Sequence, residues 1–560
     1  MKPNKIKIAI ICAAAVFGSC TKLNESLNSS LTKDQTSNAL GANAVPLLLQ
    51  AAYADIAGPF TAQDQVFSLE ENSTDESLVP TRGGDWDDNG VWRVIHSHKW
   101  NADHSQVLSV FNGLNKLQFD ATNVLAFGPS ANQKAQARFL RALSLYYLLD
   151  LYNQYPFRNP GDNLLLAPEV KSGAAASQFI IDELTAALPD LAAAGGGNNA
   201  SLATQEAAKV LLMRTYLNRG MWLNRTAPTF ADADMQQVIT LGNQIISGGK
   251  YSFESEYFNN FVAGNNGGKE SIFAYPNSSG VAANNSGING RWQMTTHYNT
   301  NALKAPNAGW NGFTTIGDFY NSFGFPTAMV GVTGFATDKS GRYKDTAVDS
   351  RLGGRFYTGV TNKIGLKPGF LIGQQYNGAD SAYNAEKDRK GNPLAFDPTI
   401  ASNMIETGTN LEVTGIRVVK YVPDIITNDQ WGGNAGNWVQ LFRYSDVVLM
   451  VAEAKLRAAT KDNAGALTLI NTLRTARGAA SMTGTVVLAN PSNVDDPGTL
   501  LAERGREFYW ESLRRTDLLR FGVFNVLWQY KPSDDAHYNV YPIPTQALAS
   551  NPNLKQNTGY

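Results

Sequence analysis

Acidic, basic and aromatic side chains crowd one stretch, "SLEENSTDESLVPTRGGDWDDNGVWR", residues 68–93. It holds Glu70, Glu71, Asp75, Glu76, Asp85, Asp87 and Asp88 together with Arg82, Trp86 and Trp92. Its composition reads as a loop. The mixture suits a sugar: the C–H face of a pyranose stacks on an indole, and its hydroxyls pair with carboxylate, amide and guanidinium groups. Clustered carboxylates are also the chemistry of a calcium site, but no D-x-[DN]-x-[DN]-G loop is present. Trp86, between Asp85 and Asp87, is the stronger candidate for a ligand surface. Trp92 fits a core position equally well.

Two further groups share this chemistry. In "NGRWQMTTHYNTNALKAPNAGWNGFTT" (289–315), Trp292, Tyr298 and Trp310 stand among Asn, Gln and Thr without a helical period. Trp431 and Trp438 lie in "DQWGGNAGNW". An aromatic exposed in a polar loop is costly unless a ligand or partner covers it. The expected ligand-binding residues are therefore Arg82, Asp85, Trp86, Trp292, Tyr298 and Trp310. Glu507 and Glu511 offer a paired-carboxylate reading. Glycoside hydrolysis needs two carboxyls roughly 5–9.5 Å apart across a cleft, one of them kept protonated. The arginines beside them, Arg506, Arg514 and Arg520, would hold both ionised. With Asp517 the segment reads as a structural ion network, and no catalytic residue is assigned. His96 and His98 would point about 200° apart on a helix. With no Cys or H-E-x-x-H nearby, no metal ligand and no cofactor is expected. G-x-S-x-G and the Gly-rich phosphate loops are missing too.

These loops need a frame. Hydrophobic periodicity predicts helices over 42–56, 101–118, 131–152, 174–188, 204–219, 231–248, 443–459, 462–477 and 498–526. Asp103 and Asp462 are placed to cap two of them, and Gly220, Gly248-Gly249 and Gly478 to end three. In "ARFLRALSLYYLLDLYNQYP" (137–156) one stripe is Leu140, Leu143, Tyr147 and Leu151, and a second is Phe139, Tyr146, Leu149 and Tyr152. A helix apolar on two faces packs on two faces, so this one is scaffold. From about 250 to 440, Gly, Asn and aromatics dominate, with short alternating pieces such as "GIRVVKYVP" (415–423). The fold expected is mainly α. A helical region over 42–250 and a second over 441–560 frame a loop-rich ligand-binding insert over 251–440. Helix starts near 101, 137, 174 and 207 do not make a strict tetratricopeptide (TPR) array, but helix pairs with inserted loops fit.

Apolar content of 43% with 10% aromatics is that of a globular chain. A formal charge of −1 gives no electrostatic case for nucleic acid or an anionic membrane surface. Lys2, Lys5 and Lys7 precede "IAIICAAAVFG" (8–18), which is too short to span a bilayer and reads as an export signal. "VFGSC" (16–20) resembles a bacterial lipobox, with Phe17 where Leu is usual. That predicts a signal peptide over 1–19, a lipidated Cys20 and a polar tether over 20–41. No Cys follows Cys20, so no disulfide is expected.

Several ordered segments carry a family resemblance. "RGREFYWESLRRTDLLRFG" (504–522) and "YPIPTQALASNPNLKQNTGY" (541–560) resemble the closing signature of the SusD/RagB family of Bacteroidetes outer-membrane lipoproteins. "RFLRALSLYYLLDLYNQYP" (138–156), "FRYSDVVLMVAEAKLRA" (442–458) and "INTLRTARG" (470–478) resemble three more of its segments. Asn153-Gln154-Tyr155-Pro156 stands where the family commonly has Tyr-Gly-x-[VI]-Pro. The resemblance implies TPR-like helix pairs under an irregular ligand-binding half. It also implies a lipid-anchored outer-membrane protein at the cell surface. Such a protein captures glycans, or in some members peptides, and delivers them without catalysis to a SusC-like TonB-dependent transporter. A secreted glycoside hydrolase is the alternative from a different class.

Overall fold

The computed structural model describes residues 41–194, 199–280, 287–300, 309–324, 349–353, 368–377, 384–408, 411–424 and 435–560. The export signal, Cys20 and Trp431 lie outside the described residues. Helices α1 (Ala44–Ala54), α2 (Ser105–Ala126), α3 (Ala131–Tyr152), α4 (Gly173–Ala187), α5 (Gln205–Leu223) and α6 (Asp232–Ser247) each pack on the one before. The stack resumes with α7 (Tyr444–Arg457) against α6 and α8 (Asn463–Ala476) against α7.

The α3 helix shows why this frame is rigid. Ser130 and Gln133 form a reciprocal capping box at its start, and Asn153 closes its end at φ 63°. Every residue from Phe139 to Tyr152 is buried. The polar members of that run are satisfied across helices. Arg141 donates to Glu183 at 2.9 Å, and Asp150 accepts from Trp222 Nε1 at 2.6 Å and from the Thr516 hydroxyl at 2.7 Å. Two-faced burial thus follows from the two apolar stripes.

The segment from 251 to 440 is an excursion between α6 and α7. Strand Ser271–Tyr275 pairs antiparallel with Val439–Arg443, which runs directly into α7. The chain therefore leaves the stack and returns at one place. Within the excursion, Gly369–Leu371 pairs with Arg417–Val419, and Ile405–Glu406 pairs in parallel with Thr81–Arg82 of the N-terminal region. Phe313, Ile316, Phe319, Phe370 and Val418 are buried in the same apolar cluster as the helices. The excursion is irregular, but it shares the core.

Four expectations are corrected. Asp103 does not cap α2; His104 occupies that position. Gly220 lies inside α5, where a Cβ would overlap the Thr229 carbonyl, so close approach and not helix termination requires it. The helix expected over 498–526 is two, α9 (Leu500–Phe508) and α10 (Arg514–Arg520). Between them Trp510 and Ser512 take left-handed φ values of 58° and 63°. The cause lies far off in sequence. Glu76 accepts from the Trp510 amide at 3.3 Å, and Glu71 accepts from the Ser512 amide at 2.5 Å. The buried carboxyl oxygens take these donors from the helix ladder, which would otherwise leave them unpaired in the core. The fourth correction is the reading of 68–93 as a loop. Its ends lie in helices Val66–Glu71 and Val91–His96. Glu70, Glu71, Asp75 and Glu76 are fully buried, and Asp75 accepts from Arg514 Nε at 2.8 Å. Thr516, Ser512, Arg514 and Trp510 donate to these four carboxyl groups.

Candidate ligand-binding site

The residues around Trp86 form a tight hairpin. Arg82 and Asp85 exchange backbone hydrogen bonds at 2.9 and 3.1 Å, and Trp86 itself sits at φ 61°. A bulky residue in that region is strained and is held there by its surroundings. Arg82 supplies part of the hold. Its buried guanidinium donates to the Leu411 carbonyl at 2.8 Å and to the Thr414 hydroxyl and carbonyl at 2.6 and 2.8 Å. Arg82 is therefore a brace between the N-terminal region and the excursion, a correction to its expected contact with ligand.

Trp86 and Trp310 come together. Trp86 Nε1 donates to the Trp310 carbonyl at 2.7 Å. The Trp86 ring meets Phe313 and Trp92 edge-on, with centroids 5.5 and 5.8 Å away. The Trp310 segment is pinned in turn: the Asn311 and Gly312 amides donate to the Thr296 and Met294 carbonyls, both at 2.8 Å. Gly312 lies against the Trp86 indole, where a Cβ would intrude on the ring. Both tryptophans are partly buried against the core, and each keeps some accessible surface.

Tyr298 and Asp85 extend the platform. The Tyr298 hydroxyl donates to Asp85 Oδ2 at 2.6 Å. Burial, and the hydrogen bond and charge of Asp85, push this phenol upward, so it stays protonated and donates. Arg389 stacks on the Tyr298 ring with Cζ 3.9 Å from its centroid, and its side chain is 44% exposed. Glu412 holds that guanidinium at 2.9 and 2.7 Å and meets His297 Nε2 at 3.0 Å. Burial works to raise the Glu412 pKa, but the bonds from Arg389 and His297 outweigh it and keep the carboxylate ionised. Burial lowers His297 to about 4, leaving it neutral near pH 7.

Two other expectations separate here. Trp292 is fully buried in the core, which corrects its place in the exposed platform. The apolar cluster it joins outweighs the polar neighbours it has in sequence. Trp438 is half-buried elsewhere, its Nε1 donating to the Asn277 carbonyl at 3.0 Å. Arg389 and Glu412 were not legible as site residues. They lie in charged turns 91 and 114 positions from Tyr298, and no spacing rule links them to it.

Glu507 and Glu511 are buried in an ion network. Glu507 meets Arg477 at 2.8 Å, Arg443 at 2.9 Å and Arg351 at 3.4 Å. Burial would raise its pKa, but Arg477 and Arg443 hold it at about 2. It cannot serve as a proton donor near neutral pH.

Comparison with known proteins agrees with this architecture. Residues 269–560 match the sequence model of the SusD family. Over 134 residues the chain is 36% identical to the starch-binding protein SusD of Bacteroides thetaiotaomicron. That alignment takes in 22% of this chain and spans only 21% of the relative's length. The fold superimposes on a SusD-like protein of Bacteroides fragilis with a TM-score of 0.67 at 18% identity, over 94% of this chain and 98% of that one. Against surface glycan-binding protein A of Bacteroides fluxus the TM-score is 0.62 at 17% identity, over 93% and 99% of the two chains. A helix stack interrupted by one core-sharing excursion, with a family match across more than half its length, belongs to the SusD family.

Proposed function

We propose that this protein is a cell-surface glycan-binding lipoprotein, anchored through Cys20, that passes its ligand to a SusC-like TonB-dependent outer-membrane transporter. The observation that carries the reading is the platform of Trp86, Trp310 and Tyr298, drawn from separated loops and edged by Asp85 and Arg389. Partly accessible aromatic residues supply stacking area, and the flanking carboxylate and guanidinium supply hydroxyl partners. The names of the related proteins, starch-binding and surface glycan-binding, support the ligand class. The role is binding and not catalysis. The carboxyls that burial keeps protonated, such as Glu70 and Glu71, are fully buried in the core. Among the described residues no helix is long and apolar enough to cross a membrane; the lipobox-like VFGSC is what supports attachment through an acylated Cys20.

Trp86→Ala tests the ligand reading. Losing one stacking anchor costs about 2 kcal/mol, roughly thirtyfold in affinity. The variant is expected to weaken retention of neutral oligosaccharides in calorimetry while melting like the parent. Unchanged affinity would place the ligand elsewhere, and product sugars from the parent protein would establish a hydrolase. Mass spectrometry of membrane-extracted protein should find acyl chains on Cys20, and an unacylated mature chain would remove the anchor from the proposal.

A further inference from the structure

Beside the platform runs an open groove of about 670 Å³, between the turn at 88–91 and the start of α2. Its lining includes Asp88, Asn89, Trp92, Lys99, His104 and Gln106. The two features share a wall. Trp92 lines the groove and also meets the Trp86 ring 5.8 Å away, centroid to centroid. Asp88 fixes that wall by accepting from Trp92 Nε1 at 2.7 Å.

The chemistry of the groove is that of hydroxyl recognition. Lys99 and Gln106 supply donors, and Asp88 and Asn89 supply acceptors. His104 is 7% exposed, and its Nε2 contacts the Val91 carbonyl at 3.0 Å. That partner assigns the ring proton to Nε2. Burial lowers the pKa of this histidine, so the ring is neutral near pH 7. Nδ1 is then a bare acceptor, and among the described residues it has no partner. A buried acceptor left unpaired costs free energy until a donor meets it. That atom is itself shielded from solvent, so hydroxyl recognition rests on Lys99, Gln106, Asp88 and Asn89 around the groove.

We infer that this groove is a second sugar subsite, continuous with the Trp86–Trp310 platform, so that the protein takes a linear neutral oligosaccharide long enough to cover both. The inference rests on the platform reading but makes a separate claim, that affinity grows with chain length because of the groove.

Calorimetry with maltotriose and maltoheptaose tests it, repeated with the cello- and laminari-oligosaccharides of the same lengths. The variants are Lys99→Ala/Gln106→Ala at the rim and His104→Phe within, each checked by thermal melting. The rim double variant is expected to bind the heptasaccharide about fivefold more weakly, roughly 1 kcal/mol, and the trisaccharide as the parent does. The same loss at both lengths, or none at either, overturns the subsite. Should His104→Phe melt early, the rim variant alone decides. Trp86→Ala is expected to weaken both lengths. If it weakens neither while the rim variant stays length-selective, the platform reading fails and the groove stands. Absence of binding by the parent in all three series overturns both.

Discussion

Two tryptophans with the same kind of polar neighbourhood in sequence have opposite fates. Trp292 is fully buried, whereas Trp86 is strained, partly accessible and held in place. Substitution should separate them. Trp292→Ala removes a core side chain and should cost about 3–5 kcal/mol of folding stability, seen as a lower melting temperature. The platform depends instead on Gly312, whose missing Cβ leaves room for the Trp86 indole. Gly312 is not at positive φ, so alanine is tolerated by the backbone itself. Gly312→Ala should therefore push the indole aside and weaken glycan binding about tenfold, or 1.4 kcal/mol, with a smaller effect on melting. Tryptophan fluorescence reports the displaced ring. An unmoved emission spectrum with unchanged affinity would show that Gly312 does not position Trp86.

At the scale of elements, the decisive feature is how the excursion is tied down. Its first strand begins beside Glu270, its last strand ends at Arg443, and Arg351 lies within it. All three join Arg477 and Glu507 of the C-terminal helices in one buried network, with Arg477 meeting both Glu270 and Glu507 and Arg351 also meeting Glu503. Ion pairs this deep rarely add much net stability, but removing one partner leaves a charge uncompensated. Arg477→Ala should cost on the order of 3–5 kcal/mol. Well below its melting temperature the variant should still bind glycan, because the platform is built by other contacts. A normal melting curve would contradict the network's role. The neighbouring Arg506, which donates to the Ser322 carbonyl at 2.9 Å and to Glu503 at 2.7 Å, belongs to the same structural set.

For the whole molecule, buried carboxyls make stability depend on pH. Burial raises Glu70 and Glu71 to about 8. Glu70 faces Asp150 and Arg515, and Glu71 lies against Glu76. In the folded protein these groups stay protonated at pH values where the unfolded chain has lost the proton. The unfolded state then binds fewer protons, so stability falls as pH rises from about 4.5 until the folded groups ionise near 8. Buried His98 and His297, lowered to about 4, act oppositely, but only below the unfolded histidine value of about 6.5. Glu453 and Glu507, held at about 2 against burial by their arginines, are ionised in both states above pH 5 or so. Lys420, lowered to about 8 by burial, adds stability with rising pH only beyond that value. The window from pH 6.5 to 8 therefore isolates the raised carboxyls, each contributing about 1–2 kcal/mol across it. The melting temperature should be lower at pH 8 than at 6.5, and Glu71→Gln should shrink the difference while Glu70 keeps part of it. A flat profile in the parent would show that these carboxyls are ionised throughout.

The amino-acid sequence alone determined the frame. Helical periodicity is a local property, and it located α3 at its observed ends and α4 to α8 within a few residues. It also marked Trp86, Asp85, Tyr298 and Trp310 as loop residues with sugar-binding chemistry, and the structure brings Trp86 to Trp310 and Asp85 to Tyr298. Tertiary structure decided which polar and aromatic groups face outward. Trp292 is core because Phe313, Ile316 and Val418 of the excursion belong to the same packed cluster. The acidic run at 70–76 is structural because a helix break some 440 residues later needs its oxygens. Arg389 reaches Tyr298 only because Glu412 anchors it there. Exposure and long-range pairing depend on which distant segments meet, and residue type and spacing along the chain carry no record of that.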